Sequence, residues 1–395
     1  MSAKKIVLLG ATGSIGESTR RVVAKHPDRL NIVGIAGRTR WRELAQIAHE
    51  FDVRHVSIFD ETAFNEARAS GAFPEGTTFY CGLEGLTEIS CLPEAELVVA
   101  AIVGTLSLQP TLAAIECGKD IALASKEILV MAGKVVMAAA KKHGCQILPM
   151  DSEHNAIFQC LQGERDIDVH KLILTASGGP FRDFTAAQMK HVTKANALKH
   201  PNWDMGPKVT IDSSTMANKG LEVIEAHWLF DKGPDQIQVV VHPQSIVHSM
   251  VHYVDGSVIA QLSPPSMTFA IQHVLLYPER AEGVDPTLDF TQMLQLDFRP
   301  PNYELFPCLR LAMNAMGVEG VAPAVFNASN EIAVDAFLSD RIGYCDIARI
   351  VEQTLAAVPA CDPQGLEEIL AADAEARRRA ADFVQQIAGA PILTQ

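Results

Sequence analysis

The chain has 395 residues, of which 48 % are hydrophobic and 20 % charged, and its formal net charge is −14. This composition excludes a disordered tail, a collagen-like fibre and a disulfide-dense mini-protein, and the length suits two or three domains at ~150 residues each. So acidic a chain is a poor match for a polyanion, so no nucleic acid and no anionic membrane surface is expected as a partner; a small phosphorylated molecule needs only a local basic site.

Residues 1–150 alternate short β-branched runs, at 5–9, 31–36, 55–59, 97–103, 120–123 and 146–149, with longer helix-compatible stretches. That alternation predicts an α/β domain, a parallel sheet with helices on both faces. The apolar run after Lys4 and Lys5 stops at Gly10, too short for a secretory core. The longest later run, 97–108, is interrupted by Gly104, Thr105 and Ser107 and falls short of the ~20 residues a bilayer span needs. A cytoplasmic location is the expectation. The eight cysteines include no C-x-x-C pair, so reduced thiols packed as small hydrophobes are expected.

The first run leads directly into Gly10-Ala-Thr12-Gly13-Ser14-Ile15-Gly16, with a helix beginning near Ser14. Glycines there permit a tight turn and close approach of phosphate, and the helix start offers free N–H groups and its positive dipole end. After the second run, where an NAD enzyme places an acid for the ribose hydroxyl, the chain reads Ala36-Gly37-Arg38-Thr39-Arg40. Guanidinium groups suit a 2′-phosphate, which favours NADPH; the alternative is a pair of solvated arginines at a helix start.

The sixth run ends in Asp151-Ser152-Glu153-His154-Asn155. In an extended segment Asp151 and Glu153 share a side and can hold a hard cation such as Mg²⁺ or Mn²⁺; equally, the group can cap a helix over 156–161. Three polar loops follow: Thr175-Ala-Ser177-Gly-Gly-Pro180, His200-Pro-Asn-Trp203-Asp-Met-Gly206, and Ser213 with Asn218-Lys219-Gly220. Each alone is compatible with a surface turn, but 188–220 carries five Lys against two Asp, a local balance of +3 in an acidic chain. Runs at 239–241, 246–254 and 257–262 read as strands, the last two joined at Asp255-Gly256. His248 and His252, four apart in a strand, lie ~13 Å from one another and cannot share one ion. Residues 278–310 read as a linker. The remainder is Ala-, Leu- and Glu-rich with helical spacing, and 312–395 holds 12 acidic and 5 basic residues, half of the total charge.

Taken in order, Gly-Ala-Thr-Gly-Ser-Ile-Gly (10–16), Ala-Ala-Ile-Val-Gly (100–104), Ser-Lys-Glu (125–127), Asp-Ser-Glu-His-Asn-Ala-Ile-Phe (151–158), Ser-Gly-Gly-Pro-Phe (177–181), His-Pro-Asn-Trp (200–203), Asn-Lys-Gly-Leu-Glu (218–222) and His-Pro-Gln-Ser (242–245) resemble the 1-deoxy-D-xylulose 5-phosphate reductoisomerase family of the non-mevalonate isoprenoid pathway. The resemblance implies a Rossmann-like NADPH-binding domain at 1–150, an α+β catalytic and connective domain at 151–277, a linker at 278–310 and a C-terminal helical bundle at 311–395. It implies Asp151, Glu153 and Glu222 as metal ligands and places Lys126, Ser152, Glu153, Ser177, His200, Trp203, Ser213, Asn218, Lys219 and Glu222 around a phosphorylated sugar, with Trp203 capping it from a flap. Lys126 and Glu153 are the catalytic candidates. Thr12, Gly13, Ser14, Ile15, Gly37, Arg38, Thr39, Ser125, Glu127 and Gly206 are the expected NADPH contacts; Ser125 stands where several relatives have Asn. The implied reaction is a rearrangement, by retro-aldol cleavage and realdolisation or by an α-ketol shift, followed by reduction to 2-C-methyl-D-erythritol 4-phosphate. A homodimer is also implied. Two rivals remain: a semialdehyde dehydrogenase, which needs an activated cysteine, and a non-catalytic NADPH sensor.

Overall fold

The β-branched runs of the first 150 residues become strands of one parallel sheet: β1 (Lys4–Leu9), β2 (Leu30–Gly37), β3 (His55–Ile58), β4 (Thr78–Cys81), β5 (Leu97–Ala100), β6 (Asp120–Leu123) and β7 (Ile147–Pro149). Their order in the sheet is β4-β3-β2-β1-β5-β6-β7. Every residue from Ile6 to Leu9 and from Leu97 to Ala100 is buried, as central parallel strands covered on both faces require. The order reverses between β1 and β5, and the crevice at the carboxyl ends of that pair is where such sheets bind ligands. The run expected to reach residue 103 stops at Ala100, because the chain leaves the sheet there to form the loop bordering this crevice.

The computed structural model describes residues 3–203 and 205–389, and the chain forms two units. The first comprises the segment up to Ile128, Val136–Phe158 and Ser266–Asp289. The second comprises Leu129–Val135, Gln159–Pro265 and the chain from Phe290 on. This partition differs from a division in chain order. The helix Met267–Leu276 is not part of a contiguous catalytic domain: Ile271, Val274, Leu275 and Leu276 join the core built by Ile6, Leu8, Val22, Leu30 and Ile32. Their burial, about 2 kcal/mol for each large aliphatic side chain, draws the helix back to the first sheet. Lys4 Nζ fixes it there by donating to the Leu275 carbonyl at 2.9 Å.

The second unit holds a four-stranded sheet, β8 (Val169–Ala176), β9 (Ile237–Val241), β10 (Val247–Tyr253) and β11 (Val258–Leu262), in the order β11-β10-β8-β9. The expected hairpin is present: Gly256 takes φ +88° between β10 and β11, and the Asp255 carboxylate accepts from the Ser257 N–H at 2.9 Å. Residues 278–306 contain no helix and no ladder strand. Beyond them lie the helices Pro307–Val318, Ala322–Leu338, Asp346–Ala357 and Leu366–Ala388. Ala322–Leu338 is buried over most of its surface, and Arg377 ties it to Leu366–Ala388 by pairing with Glu331 at 2.7 Å and Asp373 at 2.7 Å. Among the described residues, no helix is long and apolar enough to cross a membrane.

Candidate active site

The glycine turn follows β1 and enters the helix Ser14–Lys25. Gly10 takes φ +92°, and a Cβ there would lie 2.5 Å from the Ala101 carbonyl oxygen, so the loops after β1 and β5 touch. Gly16 is equally constrained: its Cβ would meet the carbonyl oxygens of Gly10 at 2.4 Å and Ala11 at 2.5 Å. Gly13 precedes the helix with no side-chain cap, leaving its first N–H groups to an anion. Gly37 ends β2, and Arg38, Thr39 and Arg40 are exposed beside it. The Arg40 guanidinium also reaches back to the Thr12 carbonyl oxygen. Thr12 and Gly13 in the turn, Ser14 and Ile15 in the first turn of the helix, and Gly37, Arg38 and Thr39 at and just after the end of β2 therefore all lie at the carboxyl ends of β1 and β2. Ser125 and Glu127 follow β6, and the Ser125 hydroxyl lies 2.8 Å from the Gly104 carbonyl and 3.3 Å from the Glu127 carboxylate. Gly206 stands apart, in the second unit, before the helix Pro207–Thr215.

At the end of β7 the structure corrects the extended reading of Asp151 and Glu153. The helix Ser152–Cys160 begins immediately, so Glu153 lies in its first turn and the two carboxylates are not related by a strand period. Polar residues at a helix start find backbone donors, which extended backbone does not supply; the Ser152 N–H donates to Asp151 at 2.9 Å. The Ser152 hydroxyl bonds the Glu153 carboxylate, and Lys126, at the start of the helix Glu127–His143, pairs with Asp151. Lys126, Asp151, Ser152 and Glu153 thus form one cluster in the first unit. An all-oxygen carboxylate set is the donor chemistry that hard divalent cations take.

The second unit gathers the remaining polar loops. Ser177 follows β8 and opens a turn in which Gly178 and Gly179 take φ +78° and +67°. A Cβ on Gly178 would meet Val241 Cγ1 at 2.8 Å, and one on Gly179 would meet the Ser213 carbonyl oxygen at 2.8 Å. The double glycine therefore exists to seat this turn against Ser213. His200 Nδ1 accepts from the N–H groups of Asn202 at 3.2 Å and Trp203 at 2.9 Å. With Nδ1 so occupied, the proton sits on Nε2, which donates to Ser177 Oγ at 3.0 Å. Burial and, secondly, the Arg182 charge hold His200 down at about 4, so it is neutral near pH 7. Met216, at φ +59°, joins the helices Pro207–Thr215 and Ala217–Phe230. The latter carries Asn218 and Lys219, both bonded to the buried Glu222 carboxylate. Trp203 packs edge-to-face on His248, with ring centroids 6.1 Å apart. His248 and His252 lie on β10, a strand as expected, which keeps them from sharing an ion.

Sequence reasoning assigned no role to three residues here. Arg182 donates to the Ser177 carbonyl at 3.2 Å; the signal available was a lone arginine after the double glycine. Asp212, 1 % exposed, is held by Lys208 at 2.9 Å and by Asn330 at 2.8 Å; Asn330 comes from the distant helical region, so no local pattern reveals the pair. Glu225, fully buried three residues after Glu222, follows a helical spacing that reads as ordinary. The buried thiols do not serve the cysteine-dependent rival: burial pushes Cys160 up to about 11 and Cys308 up to about 12, opposite to an activated nucleophile.

Three family descriptions match: 1-deoxy-D-xylulose 5-phosphate reductoisomerase over residues 6–133, its C-terminal domain over 147–230, and a further DXP reductoisomerase C-terminal domain over 262–379. A protein named 1-deoxy-D-xylulose 5-phosphate reductoisomerase from Chlorobaculum tepidum is 50 % identical over 382 residues, covering 96 % of this chain and 100 % of the relative. One of the same name from Burkholderia multivorans is 49 % identical, with 96 % of each chain covered. Among solved structures, the Zymomonas mobilis reductoisomerase in complex with NADPH superposes with a TM-score of 0.90 at 43 % identity, covering 97 % of this chain and 99 % of that one. A DOX-P reductoisomerase in complex with NADPH, fosmidomycin and magnesium gives 0.93 at 42 % identity, covering 98 % and 100 %. Likeness of this depth over nearly the whole length, joined to the glycine turn, the carboxylate cluster and the polar cradle, settles the identity: the chain belongs to the 1-deoxy-D-xylulose 5-phosphate reductoisomerase family.

Proposed function

We infer that this chain catalyses the NADPH- and divalent-metal-dependent rearrangement and reduction of 1-deoxy-D-xylulose 5-phosphate to 2-C-methyl-D-erythritol 4-phosphate, a step of isoprenoid precursor biosynthesis. The observation that carries the reading is near-full-length identity of about 50 % to proteins of that name. When bound, Mg²⁺ or Mn²⁺ polarises the substrate carbonyl, and NADPH supplies hydride to the rearranged aldehyde.

The residue roles are our assignment. Asp151, Glu153 and Glu222 are the metal ligands, supported by the carboxylate chemistry of the first unit's cluster and by the burial of Glu222. Ser177, Ser213, Asn218 and Lys219 bind the substrate phosphate, with His200 donating through Ser177; the support is the meeting of Ser177, His200 and Ser213 at the double-glycine turn and the polar chemistry of Asn218 and Lys219 at the start of the helix Ala217–Phe230. Ser152 and Lys126 orient the substrate hydroxyls, and Glu153 exchanges the hydroxyl proton. Trp203 closes over the substrate and excludes water. NADPH lies on Thr12–Ile15 and Gly37–Thr39, with Ser125, Glu127 and Gly206 completing its contacts. In these terms the first unit serves the cofactor and supplies the Asp151–Glu153 cluster, and the second unit holds the phosphate, with the helices beyond Pro307 supporting it.

The decisive experiment is NADPH oxidation in the presence of 1-deoxy-D-xylulose 5-phosphate, with and without Mg²⁺ or Mn²⁺. Metal-dependent turnover is expected. Folded, NADPH-binding protein that fails to turn over with metal present rejects the enzyme reading in favour of the sensor. Arg38→Ala is expected to raise the NADPH Kd by ~10–100-fold, the worth of a charge-assisted hydrogen bond to phosphate, with NADH affinity unchanged; equal losses for both cofactors exclude 2′-phosphate recognition.

A cytoplasmic homodimer is also our reading. The charge of the substrate and of NADPH retains both inside the cell, where the enzyme must meet them. For the dimer, the second unit exposes Phe290, Met293 and Phe298, with Met293 99 % exposed, and leaves β11 as an open sheet edge. Sedimentation at micromolar concentration is expected to give twice the chain mass, and Met293→Glu to shift it toward monomer. A monomer for the unsubstituted chain rejects the assignment.

A further inference from the structure

We propose that Arg182 is a positioning residue for the phosphate cradle, clamping the Ser177–Gly179 turn in the orientation that presents the Ser177 hydroxyl. The inference rests on the reading of Ser177, Ser213, Asn218 and Lys219 as the phosphate site.

Three observations converge on this one side chain. Its guanidinium donates to the carbonyl oxygens of both Ser177, at 3.2 Å, and Gly179, at 3.5 Å. Backbone with consecutive positive φ has no regular ladder to fix it, so one guanidinium nitrogen shared between two carbonyls determines which way its peptide groups face. The Arg182 aliphatic stem also fills the space beside the turn: a Cβ on Gly178 would lie 3.0 Å from Arg182 Cβ and 3.2 Å from its Cδ. Finally, the guanidinium is itself anchored, with Asp183 at 3.6 Å, and Asp183 is paired with Arg299 at 2.8 Å. Arg299 belongs to the bridge that pairs with Val241, whose Cγ1 would also meet a Cβ on Gly178, at 2.8 Å. Val241 and Arg182 thus both close off the space beside Gly178.

The charge has a second effect. Arg182 is the charged group that acts on His200, and it disfavours the imidazolium. That preserves the neutral state in which His200 Nδ1 accepts from the Asn202 and Trp203 N–H groups while Nε2 donates to Ser177 Oγ. Ser177 Oγ, which also accepts from the Gly179 N–H at 3.2 Å, then has its own proton to give to a phosphate oxygen.

The test compares Arg182→Gln and Arg182→Lys in the full chain. For Arg182→Gln the KM for 1-deoxy-D-xylulose 5-phosphate is expected to rise about tenfold, with kcat changed less than threefold and NADPH affinity unchanged. Arg182→Lys restores the charge but, with one nitrogen, cannot bond the two carbonyls through one atom and Asp183 through another, and is expected to recover only part of that loss. The His200 imidazole resonance, followed by NMR, is expected to titrate at higher pH in Arg182→Gln, because a cation opposing its protonation is gone; in Arg182→Lys it stays near about 4. A merely structural role lowers kcat and raises KM together. An unchanged KM in Arg182→Gln overturns the proposal. Lys219→Ala separates this from failure of the phosphate reading. If Lys219→Ala weakens inhibition by inorganic phosphate while Arg182→Gln does not, only the role of Arg182 falls. If neither does, the phosphate site itself is misassigned and the proposal falls with it.

Discussion

Glu222→Gln is expected to lower kcat/KM for 1-deoxy-D-xylulose 5-phosphate by ~10³-fold or more, about 4 kcal/mol of transition-state stabilisation. That is the scale of the contribution a bound Lewis acid makes to developing charge. The amide keeps the shape and removes the anionic donor. Mg²⁺ affinity measured calorimetrically falls with the activity, while NADPH affinity stays within twofold, because the glycine turn belongs to the other unit. Stability changes too. Glu222 is 1 % exposed and its carboxylate is paired with Lys219, so neutralising it withdraws compensation from a buried ammonium at a cost of about 3–5 kcal/mol. The double variant Glu222→Gln with Lys219→Met should therefore regain much of the lost thermal stability without regaining activity. Unchanged Mg²⁺ affinity in Glu222→Gln, or an equal loss of NADPH affinity, would remove Glu222 from the ligand set.

Gly16→Ala is the second large effect. The added methyl would sit 2.4 Å and 2.5 Å from two backbone carbonyl oxygens, and neither can rotate away as a side chain would. The turn has to open, and overpacking of this kind costs about 1–3 kcal/mol. Because the displaced backbone is the surface that phosphate approaches, the loss appears as a rise of ~10–100-fold in the NADPH Kd, read by fluorescence titration. Gly365→Ala is the control: Gly365 has extended backbone with nothing within 4 Å of a built Cβ, so NADPH affinity is unchanged. If Gly16→Ala binds NADPH like the unsubstituted chain, the turn is not the pyrophosphate site.

Most of the first sheet was legible because its strands are buried on both faces and read as unbroken apolar runs. β6 matches its run residue for residue. The strands that escaped notice lack that signal. β4 is a four-residue edge strand with no buried residue, and its extended state comes from pairing with β3. β8 begins Val169-His170-Lys171, and the polar pair breaks the pattern before the buried stretch Leu174–Ala176. At Asp151 and Glu153 two readings stood side by side, an extended pair and a helix-capping cluster; the structure takes the second, with the helix starting at Ser152 rather than at 156. The site divides in the same way. Gly10–Gly16, Arg38 and the 188–220 charge balance announce themselves locally. Glu222 does not, since Asn218 and Glu222 are four apart on a helix and look like any surface pair. Arg182 and Asn330 matter through tertiary contacts that no spacing encodes.

The return of Met267–Leu276 to the first sheet bears on how the protein is made. A ribosome releases β1 to β7 long before this helix, yet the core around Ile6, Val22 and Ile32 lacks the faces of Ile271, Val274 and Leu275 until then. The cofactor-binding half therefore waits, with an apolar surface open, until synthesis has passed Asp289. By that point the whole second sheet has emerged. The first unit is thus completed only after the strands of the second have been made, while the helices beyond Pro307 are still to come, and the first 150 residues expressed alone would be a chaperone substrate rather than an NADPH-binding fragment.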